Sequence, residues 1–294
     1  MNAIILVNQG GGSAGDDARE RVEAALRGAG IAGEVELIPG DKLVERATKA
    51  AKDGAALVIA AGGDGTLSAV AGALAETNTA FGILPLGTLN HLARDLGISF
   101  DLGEAAAIIA AGHRRAIDVA EVNDRIFINN SAIGLYPLMV ADREGQQERL
   151  GRSKRLAMFV AGARTLVRFH HHRLTLTVND ARREIIETPL LFVGNNDYRL
   201  DLGAAGQRDS VSDGRLSVIV MRKMGRVGFF AAMLRALFKR GRASDMIKLD
   251  SVTTLRVESR RSHLTVSSDG ETMRMTPPLD FRIRPAALQV IVPA

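Results

Sequence analysis

The sequence predicts two joined architectures, α/β plus β: an N-terminal doubly wound α/β domain, then an antiparallel, β-sandwich-like domain. Three observations carry this. Up to about Asp118, apolar runs of strand length alternate with helical stretches, the pattern of a parallel sheet. Two of those runs end in glycine-containing turns that open into helices, and ligands of such sheets sit at the carboxyl ends of the strands. Beyond Asp118, short β-branched segments take over, split by turns such as Asn179-Asp180 and Asp213-Gly214. A chain of 294 residues is long enough for two domains.

The elements follow in order. Ala3–Val7 is a first buried strand, Asp16–Ala29 a helix and Gly33–Ile38 a strand. Asp41–Asp53 is a helix, the apolar run Ala55–Ala61 a strand and Thr66–Glu76 a helix. Ala80–Leu84 is a strand, followed by the Pro85–Asn90 turn, a short helix, and a further helix over Gly103–Ala111. In the second part Arg125–Asn129, Leu174–Asn179, Arg183–Glu187, Pro189–Val193, Arg215–Val220, Thr253–Ser259, Leu264–Ser267 and Leu279–Ile283 are strands. Helical stretches near 148–169 and 225–240 interrupt them.

Gly62-Gly63-Asp64-Gly65-Thr66 directly follows the third strand. Glycines let a phosphate approach the backbone without a Cβ in the way, and the N–H groups of the next helix point at the anion. Asp64 repels phosphates unless a divalent cation lies between, so the motif points to a nucleotide phosphate with Mg²⁺, and to phosphoryl transfer. Pro85-Leu86-Gly87-Thr88-Leu89-Asn90 is a second strand-to-helix turn, with Thr88 and Asn90 either capping the helix or meeting the same ligand.

Composition narrows the field. With no cysteine there is neither a disulfide scaffold nor a thiolate zinc site, and the chain is compatible with a reducing cytosol. No apolar run approaches the ~18 to 20 residues of a membrane span, and the N-terminus lacks a basic region before its apolar run. The net charge is +5, with an acidic excess over residues 1–112 and seven Lys/Arg without Asp/Glu over residues 222–242. Two tyrosines and no tryptophan speak against a base-stacking platform, and nucleic acid is not expected. Within Gly225–Arg242, Phe229, Phe230, Met233, Leu234, Leu237 and Phe238 recur at helical spacing, with Arg235, Lys239 and Arg240 among and after them. That segment is either a packed helix or one lying on an anionic membrane surface. His170-His171-His172 points adjacent imidazoles to opposite faces of a strand, which suits a cleft rim better than a metal. No Walker A sequence occurs.

Gly62–Thr66, Gly87-Thr88-Leu89-Asn90 with Ala93-Arg94, and Asp269-Gly270-Glu271 resemble, in order and spacing, the motifs of the diacylglycerol kinase catalytic-domain family. The likeness spans nearly the whole chain and is strongest to the family's soluble bacterial lipid kinases, relatives of sphingosine and ceramide kinases. It implies an ATP- and Mg²⁺-dependent kinase of a diacylglycerol-like lipid, cytoplasmic and peripheral to the membrane. It also implies an ATP-binding domain over 1–121, a β-rich lipid domain over 122–283, a tail over 284–294 returning to the first domain, and an active site in the cleft between the domains. A homodimer is left open.

The resemblance assigns ATP contacts to Gly62, Gly63, Asp64, Gly65, Thr66, Leu67, Ser68 and Ala69, and to Gly87, Thr88 and Asn90, with Asn8 near the nucleotide. It makes Asp269 the proton acceptor, Glu271 a nucleotide or metal contact and Asp118 an acid of the cleft. Ser210, Asp213 and the carbonyl of Arg215 match a structural Mg²⁺ loop. Taken alone, Asp269-Gly270 is an ordinary β-turn between the strand Leu264–Ser267 and a further strand over Met273–Met275, and Asp209–Gly214 a solvated one. Three positions depart from the family: His91 stands where Asp is frequent, Gln9 and three glycines replace a proline turn, and Glu34–Asp41 lacks the usual threonine. The alternatives are an NAD kinase-like transferase with a soluble substrate, a non-catalytic nucleotide-sensing membrane module, and an NAD-dependent oxidoreductase using Gly10–Gly15.

Overall fold

The structure, a computed structural model, describes residues 3–10, 17–88, 90–134, 171–198, 208, 210–225, 228, 231 and 245–294. Its first part runs β1 (Ala3–Asn8), α1 (Ala18–Gly28), β2 (Gly33–Ile38), α2 (Leu43–Lys52), β3 (Leu57–Gly62), α3 (Asp64–Leu74), β4 (Ala80–Pro85), α4 (His91–Asp95) and α5 (Leu102–Ala111). The four strands pair in parallel in the order β2-β1-β3-β4. β3 and β4 are buried at every residue, which is why they are continuous apolar runs. Strand order reverses about β1, so the carboxyl ends of β1 and β3, at Asn8 and Gly62, flank the crevice where such sheets bind ligands.

The second part contains β5 (Arg114–Val122), β6 (Arg125–Phe127), β7 (Asn130–Gly134), β8 (His172–Val178), β9 (Arg182–Thr188), β10 (Leu190–Asn195) and β11 (Leu216–Met221). It continues with β12 (Met246–Val252), β13 (Thr254–Ser259), β14 (Leu264–Ser268), β15 (Glu271–Met275) and β16 (Leu279–Ile291). Six of these form an antiparallel sheet, β12-β11-β10-β7-β14-β15. The remainder extend the first sheet through β16 to β13, β8 and β9, with β5 and β6 branching from β16. A sandwich thus forms between the smaller sheet and the antiparallel end of the larger one.

β16 joins the two halves. Its start pairs with β13 and its end lies parallel to β4, Val290 opposite Phe81, while β5 runs antiparallel along nearly its whole length. Register shifts between Arg284 and Leu288, where Ala286 takes φ 52. Both oxygens of Asp118 hold this junction, accepting the Ala286 N–H at 2.8 Å and the Gly214 N–H at 2.7 Å. β5 itself changes core: Ile117 and Val119 pack in the first, Ala120 and Val122 in the second. β5, β7 and β12 are not among the expected strands, and α3 begins two residues before its expected start. Among the described residues no helix is long and apolar enough to cross a membrane. The expected helix near 148–169 and most of the 225–242 segment lie outside the described residues.

Candidate active site

Two glycine turns meet at the carboxyl ends of β3 and β4. A Cβ on Gly87 would stand 2.5 Å from the Gly63 Cα, and one on Gly62 2.5 Å from the Thr66 side chain. Close packing, against backbone at Gly87 and against the Thr66 side chain at Gly62, therefore requires these glycines whatever else they do. Gly65 differs: it is exposed, and a Cβ there would meet nothing within 4 Å. Gly63 precedes α3 in extended conformation, so Asp64, Gly65 and Thr66 form the helix's first turn. Thr66 accepts a 2.8 Å hydrogen bond from the Asn8 amide, which ties the ends of β1 and β3 together.

Two of the expected contact residues turn their side chains elsewhere. Leu67 is buried in the first core, because helical period sends Leu67 and Val70 inward while Gly65, Ser68 and Ala69 line the cleft. The Asn90 side chain bonds back to the Gly87 N–H and carbonyl, at 3.0 and 2.7 Å. It is buried at φ 46 and closes its own turn. Asp64 supplies what Asn90 does not: its carboxylate accepts the His91 N–H at 2.6 Å, capping α4 from another helix. Thr88 is exposed beside these turns.

Facing α3 across a cleft of about 580 Å³ is the β14–β15 hairpin. Ser268 pairs with Glu271, and Asp269 and Gly270 take φ 48 and 90, the geometry that favours Asp-Gly in a two-residue hairpin. The same Asp269 points its carboxylate inward. Oδ1 accepts the N–H groups of Asn129 and Asn130, at 2.8 and 3.1 Å, and Oδ2 that of Ile128 at 2.7 Å. The Ser68 hydroxyl also donates to Oδ2, joining the two domains across the cleft. Burial raises this carboxyl above the ordinary aspartate value, and those four donors pull it partly back. Although the turn itself is partly exposed, the carboxylate is enclosed by its donors. Glu271 stands at the exposed mouth, 2.7 Å from Arg125. Gly40, Asp41, Val44 and Thr48 also line the cleft.

Behind the carboxylate lies a layer not anticipated from sequence. Arg208, with a fully buried side chain, bonds Asp95 at 2.7 Å and the carbonyls of Ile128 and Asn195 at 2.8 and 3.0 Å. The Tyr198 hydroxyl holds the Asn129 carbonyl at 3.0 Å, and its burial pushes its own pKa above the ordinary tyrosine value. Nothing local marks these residues as partners, since Asp95 and Arg208 are 113 positions apart.

The expected metal residues lie in one exposed loop. The Ser210 hydroxyl accepts the Ser212 N–H at 3.1 Å, the Arg215 carbonyl accepts the Asn196 N–H at 3.0 Å, and Asp213 accepts the Asp197 N–H at 3.4 Å. All three offer oxygen, the donor type that Mg²⁺ takes. Among the described residues no group of three or more His, Cys, Asp or Glu is placed to hold a metal. Asp118, its two oxygens occupied by backbone N–H groups, has a structural place at the domain junction. His172 is buried on β8 and His171 meets the Met224 carbonyl at 3.0 Å, while His170 lies outside the described residues.

An α/β domain with two glycine turns at its strand ends, closed by a sandwich that brings a carboxylate to the helix after the first of them, is the two-domain fold of the diacylglycerol kinase and NAD kinase structures that it resembles. A diacylglycerol kinase of Bacillus anthracis superposes with a TM-score of 0.69 at 20% identity, covering 99% of this chain and 97% of that one. An NAD kinase of Archaeoglobus fulgidus solved with ATP gives 0.54 at 12% identity, over 99% of this chain and 92% of that one. Such identities establish the fold alone.

Sequence establishes the family: this chain belongs to the diacylglycerol kinase catalytic-domain family, in the branch carrying the YegS C-terminal domain. Residues 2–122 match the diacylglycerol kinase catalytic domain, and residues 139–292 the YegS C-terminal NAD kinase beta sandwich-like domain. A Pseudomonas aeruginosa protein named "Probable lipid kinase YegS-like" is 32% identical over 99% of this chain and 94% of its own. A Staphylococcus aureus diacylglycerol kinase is 39% identical over 32% of this chain and 30% of its own.

Proposed function

We propose that this chain transfers the γ-phosphate of Mg-ATP to a hydroxyl of a diacylglycerol-like lipid, working at an anionic membrane surface. The observation that carries this is the meeting in one cleft of the first turn of α3, with its open Gly65, and the enclosed carboxylate of Asp269. A helix N-terminus favours an anion by its free N–H groups and its dipole. Gly65 gives phosphate oxygens room at that point. Phosphoryl transfer needs positioning and charge neutralisation more than covalent help. Asp64, whose second carboxylate oxygen is not used by the His91 N–H, would hold Mg²⁺, which would supply the neutralising charge. A second ion held by Ser210, Asp213 and the Arg215 carbonyl would brace its loop, away from the transfer.

Asp269 receives the acceptor's proton. A carboxyl raised by burial is a stronger base than an exposed one, and burial is the larger influence here. Glu271, paired with Arg125 at the mouth, borders the same space. The lipid assignment is supported by the names of the relatives, lipid kinase and diacylglycerol kinase. The basic, Phe-bearing 225–242 segment supports the membrane assignment.

The test is a labelled-ATP assay on a whole-lipid extract with products identified by mass. One lipid class should gain a phosphate, in a reaction abolished by chelating Mg²⁺. Label appearing only in NAD, or in no lipid, defeats the reading.

A further inference from the structure

The hydrogen bonds at Asp269 pose a chemical problem for a base. A carboxylate has about four lone-pair positions, and four donors fill them here. Three are backbone N–H groups at the start of β7 and the turn before it. That turn is pinned from behind: Asn195 and Arg208 hold the Ile128 carbonyl, and Tyr198 holds that of Asn129. A pinned N–H cannot turn away, and it has no lone pair with which to take up another proton.

Ser68 differs in each respect. A hydroxyl is donor and acceptor at once and turns about a single bond. Ser68 lies on the cleft face of α3, next to Ala69 and about one helical turn beyond Gly65. Three residues advance a helix by about 4.5 Å, so a phosphate at the first turn and an alcohol beside Ser68 would be neighbours.

We propose that Ser68 is a catalytic residue of this site: it takes the proton of the acceptor alcohol while passing its own to Asp269. This rests on the reading of Asp269 as the base. The alcohol's O–H bond breaks as a new O–H bond forms at Ser68 Oγ. The former Ser68 O–H bond breaks as one forms at Asp269 Oδ2. The freed electron pair of the alcohol makes the bond to the γ-phosphorus of ATP. The bond from that phosphorus to the β–γ bridging oxygen breaks and leaves its pair on ADP. Nothing is oxidised or reduced, and Asp269 later yields the proton to water.

Ser68 also joins the two domains, so the test must separate chemistry from packing. Thr and Val have the same shape, and of the two only Thr keeps the hydroxyl. Ser68→Ala, Ser68→Thr, Ser68→Val, Asp269→Asn and the double variant Ser68→Ala/Asp269→Asn are assayed with Mg-ATP and the lipid that the wild type labels. Ser68→Ala and Ser68→Val should each lose about 10²-fold in kcat with little change in the KM for ATP, while Ser68→Thr keeps most of its activity. The double variant should be no slower than Asp269→Asn, because the two groups act as one unit. Wild-type kcat in Ser68→Ala, equal losses in the Thr and Val variants, or losses that multiply would each overturn the relay. An inactive Asp269→Asn beside an active Ser68→Ala removes the relay alone. A fully active Asp269→Asn removes the base reading and the relay with it, as does a wild type that labels no lipid.

Discussion

The two walls of the cleft are built by different means. The α3 wall is assembled from residues 62–91, and its chemistry belongs to the backbone: free N–H groups at a helix start, and glycines where two turns abut. The hairpin wall centres on one side chain, whose donors come from residues 139 to 141 positions earlier and, at Ser68, from 201 positions earlier. A short motif encodes an anion site because local backbone geometry makes it. The setting of a buried carboxylate is made by residues that only folding brings together.

Four experiments break or sharpen this contrast. The largest effect is expected at Asp269. Asp269→Asn keeps the size but presents an NH₂ to N–H donors and cannot take a proton, so kcat should fall about 10² to 10⁴-fold. The pH dependence has two opposed slopes. A carboxyl raised by burial binds its proton more tightly folded than unfolded. It therefore adds stability that is full below the ordinary value of about 3.9 and is lost as pH rises through its folded value. Activity rises over that same window, because only the ionised form accepts a proton. Thermal melts and kcat/KM profiles should show both slopes in the wild type and neither contribution in Asp269→Asn. Coinciding profiles would leave the hairpin wall without a base.

Next comes the support behind that wall. Arg208→Met strands the buried Asp95 carboxylate and should cost about 3 to 5 kcal/mol in urea unfolding. Adding Asp95→Asn should return part of it, since burial already raises the Asp95 carboxyl above its ordinary value. A loss below about 1 kcal/mol, as for an exposed pair, would mean that this layer does not support the site.

The α3 wall separates two kinds of glycine. Gly87→Ala drives a Cβ to 2.5 Å from the Gly63 Cα, and should destabilise by about 1 to 3 kcal/mol. Gly65→Ala meets no protein atom. It should leave the unfolding free energy unchanged or raise it by up to about 1 kcal/mol through helix preference, while weakening ATP binding in calorimetry. Equal ATP affinity in folded Gly65→Ala would move the phosphates away from α3.

The smallest effect concerns neither wall but the approach to them. Reversing Arg235, Lys239 and Arg240 to Glu should reduce pelleting with anionic vesicles. Salt should weaken wild-type binding, since it screens surface charge within about 8 to 10 Å. Activity on a soluble short-chain lipid should survive. Undiminished pelleting of the triple variant would make that segment a packed element of the domain.

Much of the fold was legible. β1, β3 and β4 are apolar because sheet neighbours and helices cover both faces, and that leaves a local trace. β5 left none, because Asp118 and Glu121 interrupt its pattern. Both acids are buried and satisfied from afar: Asp118 by Gly214 and Ala286, Glu121 by Arg282 and Arg284. Leu67 and Asn90 fall inside the two glycine motifs, yet Leu67 lies on the buried face of its helix and Asn90 closes its own turn.

By itself, then, the sequence determined the parallel strand-helix alternation, the two glycine turns and the Asp-Gly hairpin, because periodicity and turn chemistry act over a few residues. It also determined the family, through the order of those motifs. Tertiary structure alone decided that Asp64 caps α4, that Asp118 locks a strand junction and that Arg208 reaches Asp95. It alone closed Ser68 and three backbone N–H groups around Asp269. A hydrogen bond or a desolvated charge depends on what stands within a few ångströms, and distance along the chain does not record that.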